Sequence, residues 1–527
     1  MVSLVQHRFP DIQGARTQKL NIAGPMGMKQ ILGRLAGQTA VYGTSTIVAR
    51  FLNYLLLPLY TYTLTTADYG VLTEFMSYIA VLQVLLTMGL ETGCFRFANK
   101  EGYEPHRVFS GALAAVSTIS AVFLLLMILF GRGLADSMGY GSYWKLYVYM
   151  GVILFSDCVT AILFAKLRQE NRAWRFAAFK IIKIAAEAGT NLLLFLWYPS
   201  YAAEHPGNLL SGLIPPSPDF SYPIFSILVS CVLCFLLFVP ELLRLGFGTD
   251  RRTVKGLMRY SLPLMVAGLP GVINDFLDRV LFRFFNVDDS LWRSELGIYQ
   301  AAVKVAVIMS LFVQMFRFAA EPFFFSGTRR KDFRQVYAAV MEYFVMFCML
   351  IFLGVVFYLD IIQLIVGGDF RAGMGIVPVM LLAYMMMGML FNVSMWYKLS
   401  DRPSFAIYIT LAGLAVTAVI NILFLPVFSY RAAAWGHFFS YLVMLLLSVL
   451  LGRRYYPIPY RWLKIGTVIV LGLLLYAVAC VLPAGLPMGW SLFIKTCLLG
   501  AYLAGLYVIE KYFKTRHTIA HESKDSK

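Results

Sequence analysis

The chain has 527 residues, 59% of them hydrophobic and only 14% charged; ordinary soluble domains carry about 45–50% apolar and about 25% charged residues, so neither a soluble enzyme nor a disordered chain fits. The net charge of +17, from 45 Lys and Arg against 28 Asp and Glu, would point to nucleic acid in a soluble protein. In so apolar a chain it points instead to basic loops on one side of a membrane, and no nucleic-acid partner is expected.

Residues 1–27 lack the apolar core of a cleavable signal peptide. They read as a disordered tail, or as a reading frame extended upstream of Met28, where a run resembling a natural start begins. Fourteen apolar segments follow, at 38–60, 70–90, 109–131, 144–166, 176–198, 223–243, 260–286, 296–316, 336–358, 374–397, 404–428, 431–451, 463–482 and 489–509. Each is long enough, as a helix, to cross about 30 Å of hydrocarbon. With the N-terminus placed in the cytoplasm, 33 of the 45 Lys and Arg fall on the cytoplasmic side, six on the other side and six within the spans. Both termini are therefore expected inside.

Gly70 and Gly297, at the starts of the second and eighth spans, lie 227 residues apart, as do Phe109 and Val336 at the starts of the third and ninth. This spacing describes a parallel repeat of two six-helix lobes related by an axis along the membrane normal, with substrate passing between them. The expected fold is an all-α polytopic membrane protein with a 1–34 tail, lobes at 35–258 and 259–452, two further helices in 453–510 and a tail at 511–527. The long connection Pro199–Tyr222 contains no Lys or Arg and reads as a connector on the outer side.

An ionisable group near a span centre costs about 2.5–3.5 kcal/mol on insertion scales. Arg50 lies in the first span and Asp157 in the fourth. Lys180, Lys183, Glu187 and Asn191 form one face of the fifth, and Asp275, Asp278 and Arg279 lie in the seventh. Lys304 follows Gln300 by one turn in the eighth, and Lys495 lies in the last. Each has a structural reading beside the functional one. Lys180 and Lys495 could snorkel to the headgroups. Asp275–Arg279 and Lys183–Glu187 have the four-residue spacing of internal ion pairs. Arg50 and Lys304 have no acid three or four residues away and are the strongest cavity candidates. Arg50, Lys183, Arg279 and Lys304 are the candidate anion ligands; Asp157, Glu187, Asp275 and Asp278 are candidates for ion coupling or structural pairing.

The seven cysteines read as small packing residues, including Cys231 and Cys234, whose C-x-x-C lacks the further ligands of a zinc site. His437, alone within a span, reads as packing. No nucleotide-binding, serine-hydrolase or zinc-protease motif is present, so no enzyme activity, cofactor or metal is expected. A membrane glycan polymerase or acyltransferase is the alternative from another class; it would show a large charged outer loop or an intramembrane His/Asp pair.

QTAVYGTSTIVARFLNYLLLPLYTYTLTTADYGVLTEF (38–75) resembles the start of polysaccharide-biosynthesis membrane proteins. These are the lipid-linked oligosaccharide flippases of the multidrug/oligosaccharidyl-lipid/polysaccharide exporter superfamily. GLETGCFRFANKE (89–101), KLRQENRAWRF (166–176), LGIYQAAVKVA (296–306), EPFFFS (321–326) and GGDFRAGMGIVPVMLLAY (367–384) extend the resemblance over about 35–510. It implies twelve core helices plus two, and transfer of undecaprenyl-pyrophosphate-linked sugar units across a bacterial inner membrane. It also implies a polysaccharide polymerase and chain-length machinery as partners. Arg50, Asp278-Arg279 and Lys304 fall where members of the family often carry such residues; residues 1–27 have no counterpart. A cation-coupled drug exporter of the same superfamily is the alternative, disfavoured by the basic residues in the spans.

Overall fold

In the computed structural model, the structure describes residues 51–248, 250–285, 291–326, 333–400, 402, 404–483 and 486–525, with Gly43 and Val48. The regular elements among them are all helical. In chain order they are α1 (51–63), α2 (Thr66–Thr87), α3 (Leu90–Ala98), α4 (Pro105–Ser137), α5 (Lys145–Gln169), α6 (Ala173–Leu196), α7 (Tyr198–Glu204), α8 (Ser221–Leu245) and α9 (Arg251–Phe285). Then come α10 (Trp292–Ser326), α11 (Phe333–Phe357), α12 (Leu359–Ile362), α13 (Val377–Leu399), α14 (Ser404–Phe428), α15 (Tyr430–Tyr455), α16 (Trp462–Cys480) and α17 (Met488–Asp525).

Twelve helices among the described residues are long and apolar enough to cross a membrane; this is a multi-pass membrane protein. The expected count of fourteen is not reached. The first expected span lies only partly within the described residues. The fifth, α6, carries Arg175, Lys180, Lys183 and Glu187, which interrupt its apolar face. Helices suit this solvent because every backbone N–H and C=O is satisfied within the segment. Their lipid-facing surfaces are apolar, as Leu129 and Phe130 on α4 and Val427 and Phe428 on α14 show.

Local chemistry sets the helix ends. The Thr65 hydroxyl oxygen accepts from the Asp68 N–H at 3.1 Å and caps α2. Met88 and Gly89 both adopt left-handed backbone, which ends α2 at the close of the expected second span and sets off α3 beyond it. There the Gly89 backbone runs so close to α9 that a Cβ would lie 3.0 Å from the Ser261 carbonyl oxygen. The expected seventh span starts nearer the N-terminus than its apolar run, at Arg251. The Asp250 carboxylate caps it, accepting from the Arg252 N–H at 3.1 Å and the Thr253 hydroxyl at 2.5 Å. The Thr253 hydroxyl bond, with the backbone N–H bonds, holds the Asp250 carboxyl below the usual carboxylate range.

The helices pack as two groups with the same internal pairings. In the first, α5 packs on α2, α4 and α8, and α6 on α8; in the second, α13 packs on α10, α11 and α15, and α14 on α15. The repeat in the sequence is thus a repeat in packing. Helix α9 leans on both groups, touching α2, α3 and α4 on one side and α14 on the other. Apart from α9, the extensive contact between the groups is α2 against α10. It lies at the end of the bundle where both helices begin, here named the Gly70 face; the opposite end, where α5 finishes, is the Arg168 face. Helices α16 and α17 pack on each other and on α11.

Candidate functional site

In the first group, the charged face of α6 meets α5. The Lys183 ammonium donates to the Asp157 carboxylate at 2.5 Å. The 3- and 4-residue spacing does bring Lys180, Lys183 and Glu187 to one face, but Lys183 pairs across helices rather than with Glu187. Asp157 therefore serves Lys183; Arg50 lies outside the described residues. Gln83, Glu91, Asp157, Arg168, Lys180 and Lys183 line a cavity of about 280 Å³. Arg168 pairs with Glu91 at 3.3 Å. Lys180 is turned into this cavity rather than out along the helix, its ammonium 4.4 Å from the Phe164 ring centre.

Glu187 and Lys304 come from opposite groups, on α6 and α10, and lie within electrostatic reach of each other. Neither the Glu187 carboxylate nor the Lys304 ammonium makes a hydrogen bond or a close ion pair among the described residues. Lys304 also feels the positive charge of Arg279. An ammonium left this way within a span is costly unless water or an anion meets it.

The second cluster joins α9, α10 and α15. Asp278, fully buried, accepts from Tyr299 Oη at 2.5 Å, from His437 Nε2 at 3.1 Å and from Arg279 Nη1 at 3.3 Å. Arg279 Nη1 also donates to the Asp275 carbonyl oxygen, and Nε donates to Gln300 Oε1 at 3.1 Å. The expected Asp275–Arg279 side-chain pair does not form. The Asp275 carboxylate instead accepts from Tyr441 Oη at 2.6 Å, because the guanidinium is drawn toward Asp278 and Gln300. Arg279 Nη2 has no hydrogen-bond partner among the described residues, leaving two of the five guanidinium N–H groups free. His437, expected as a packing residue, is a member of this cluster, and with Asp278 it forms an intramembrane His/Asp pair of the kind named for the polymerase or acyltransferase alternative, although the connection Pro199–Tyr222 contains no Lys or Arg. Just below it Asn274 Oδ1 accepts from Thr417 at 2.7 Å and Ser440 at 2.9 Å, tying α9 to α14 and α15.

The Gly70 face is closed. A Cβ on Gly70 would lie 1.8 Å from the Arg293 carbonyl oxygen, and one on Gly297 would lie 1.9 Å from that of Thr66. Small residues four apart along each helix let the backbones of α2 and α10 touch. One turn deeper, Arg283 of α9 pairs with Glu74 of α2 at 2.9 Å, and Tyr78 and Tyr140 donate to the same carboxylate at 2.7 and 2.6 Å. Arg283 also donates to the Met138 carbonyl oxygen. Sequence reasoning passed over both residues, although Glu74 is the sole acid in the 70–90 run.

The remaining ionic clusters anchor helices. Glu241 gathers Lys166, Arg172 and Arg175 at the Arg168 face. Glu342 and Lys464, both nearly inaccessible, pair at 2.9 Å, with Arg461 and Glu510 each at 2.5 Å. Lys495 pairs with Asp360 at 2.5 Å rather than snorkelling alone. All seven cysteines are free, five of them buried. Among the described residues no group of His, Cys, Asp and Glu is arranged to hold a metal ion.

The fold has known counterparts. Lipid II flippase MurJ, in an inward closed conformation, matches with a TM-score of 0.63 at 15% identity, over 90% of this chain and 99% of that one. An inward-facing multidrug resistance MATE family transporter of the MOP superfamily matches with a TM-score of 0.52 at 14% identity, over 80% and 97%. No curated protein matches the chain. Residues 35–327 match the polysaccharide biosynthesis protein family. More than half the chain carries that match, on a fold shared with a membrane flippase and a membrane transporter, and the chain belongs to the polysaccharide biosynthesis protein family.

Proposed function

We propose that the protein moves undecaprenyl-pyrophosphate-linked oligosaccharide units from the inner to the outer leaflet of a bacterial inner membrane by alternating access. Segments 35–258 and 259–452 act as the two moving lobes, and 453–510 supplies two accessory helices. Both termini are cytoplasmic, so the closed Gly70 face is outer and the conformation faces inward. A polysaccharide polymerase and chain-length machinery would receive the product.

The observation that carries this reading is the pair of unsatisfied cationic groups between the helix groups: the Lys304 ammonium and Nη2 of Arg279. A pyrophosphate would meet both with charge-assisted hydrogen bonds, with Lys183 and Arg50 as further ligands and the prenyl chain left in lipid. Glu187, held near Lys304, would keep the site from binding anions irreversibly. The chain's own groups only bind, orient and release; no bond of the substrate is broken.

The test is complementation of a strain lacking its flippase, with surface polysaccharide normalised to protein in the membrane. Lys304→Ala and Arg50→Ala are expected to insert normally and to abolish polysaccharide export. Normal polysaccharide from both variants would overturn the cationic-cavity reading.

A further inference from the structure

Two basic side chains at the Arg168 face take no part in the pyrophosphate reading. Arg251 and Lys255, four residues apart at the start of α9, are exposed and make no hydrogen bond or ion pair among the described residues. Like charges at this spacing repel each other along a helix. Acids at this end of α4 and α9 are engaged elsewhere. Asp250 accepts from the Arg252 N–H and the Thr253 hydroxyl, and Glu104 pairs with Arg107 at 2.8 Å.

The two cations stand at the rim of a groove between α4 and α9. Gly111, Ala114, Ala115 and Thr118 of α4 and Arg251 and Lys255 of α9 line a cavity of about 640 Å³, the size of a small-ligand site. The two helices touch at one end of it. A Cβ on Gly111 would lie 2.9 Å from Val254 Cγ2, and the Ser110 hydroxyl donates to the Gly246 carbonyl oxygen at 2.9 Å and accepts from the Gly248 N–H. Beyond this contact α9 turns to α3, where Gly93 leaves room for the Ser261 side chain, while α4 packs on α5. Their divergence opens the groove, and the small side chains of α4 deepen it. The Thr118 hydroxyl already donates to the Ala114 carbonyl oxygen, so the α4 wall offers no free polar side chain. Further along, α4 exposes Val122 and Leu125 and α9 exposes Leu262 and Val266, apolar surface of the kind that lipid covers.

We propose that this groove binds one anionic phospholipid, with its phosphodiester between Arg251 and Lys255 and an acyl chain along the small residues of α4. A phosphate held where a helix enters the membrane, above an alkyl-lined trough, matches the shape and polarity of one lipid. Basic clusters at such a point attract anionic headgroups. Arg252 and Arg259 bring the cluster to four cations within nine residues. The carrier lipid of the proposed substrate fits less well. Arg279 lies about 40 Å further along α9, so a pyrophosphate seated there leaves Arg251 and Lys255 empty. The site is therefore independent of the pyrophosphate reading. A lipid wedged between α4 and α9 also braces α9 against the first helix group.

The test is native mass spectrometry of the full chain in detergent, titrated with dioleoylphosphatidylglycerol or with zwitterionic dioleoylphosphatidylcholine. Wild type should bind the anionic lipid more tightly. The double variant Arg251→Gln, Lys255→Gln should weaken that binding about thirtyfold, the loss expected for two cations at a headgroup, and leave phosphatidylcholine unchanged. Thr118→Phe fills the groove and keeps both cations; it should weaken the anionic lipid about tenfold. If Thr118→Phe fails to fold, Ala115→Leu carries the same comparison, and the double variant alters only exposed side chains. Equal affinity for the two lipids, or an unchanged affinity in the double variant, would reduce the groove to unspecific lipid contact and overturn the proposal. Displacement of phosphatidylglycerol by equimolar farnesyl pyrophosphate would assign the groove to the carrier lipid instead. Displacement by equimolar glycerol phosphate would leave a headgroup site without a chain, which also overturns it.

Discussion

Gly70→Ala should destabilise the conformation in which the Gly70 face is closed. The new methyl would lie 1.8 Å from the Arg293 carbonyl oxygen, whereas carbon contacts settle at about 3.5 Å, so α2 and α10 must separate by well over an ångström. The obstacle is backbone in the first turn of α10, not the end of a flexible side chain, so no rotamer change relieves it. Overpacking of this kind costs about 1–3 kcal/mol, which is a shift of about 5–150-fold in a two-state equilibrium. The separation also stretches the Arg283–Glu74 pair, now at 2.9 Å. The assay is a distance distribution between spin labels at Leu209 and Leu364, which are exposed on the connections of the two groups at this face. The variant should move population to longer distances, and Gly297→Ala, placed 1.9 Å from the Thr66 carbonyl oxygen, should do the same. An unchanged distribution with unchanged thermal stability in both variants would refute the idea that this contact closes the face.

Two further outcomes are expected. Glu342→Gln should lower stability by about 3 kcal/mol, the lower end of the cost of removing one partner of a buried pair, because Lys464 keeps Glu510. Glu510→Gln, at the half-exposed end of the same cluster, should cost under about 1 kcal/mol, and thermal-shift measurements showing the reverse order would remove the structural role assigned to Glu342. A cysteine placed at exposed Ser211, in a background lacking Cys480 and Cys497, should react with an impermeant maleimide in intact cells. Labelling only after permeabilisation would reverse the orientation.

The membrane class, the helical spans and the repeat were legible in the sequence, because a bilayer imposes its thickness and its intolerance of unpaired backbone on every crossing segment. The same cost marked Lys183, Arg279 and Lys304 as residues that lipid would not tolerate. Which charge meets which was not legible. Same-helix spacing nominated Lys183–Glu187 and Asp275–Arg279, yet the partners proved to be Asp157, one helix away, and Asp278, the adjacent residue. Glu74 with Arg283, and His437 with Asp278, join residues more than 150 positions apart. Spacing along one helix describes only that helix's own faces. The neighbour that each face meets is set by how α9 crosses between the groups and how closely Gly70 and Gly297 let α2 and α10 approach. The sequence by itself determined how much charge lies within the spans; only the packing of distant helices decided which of it is neutralised and which, among the described residues, is left without a partner.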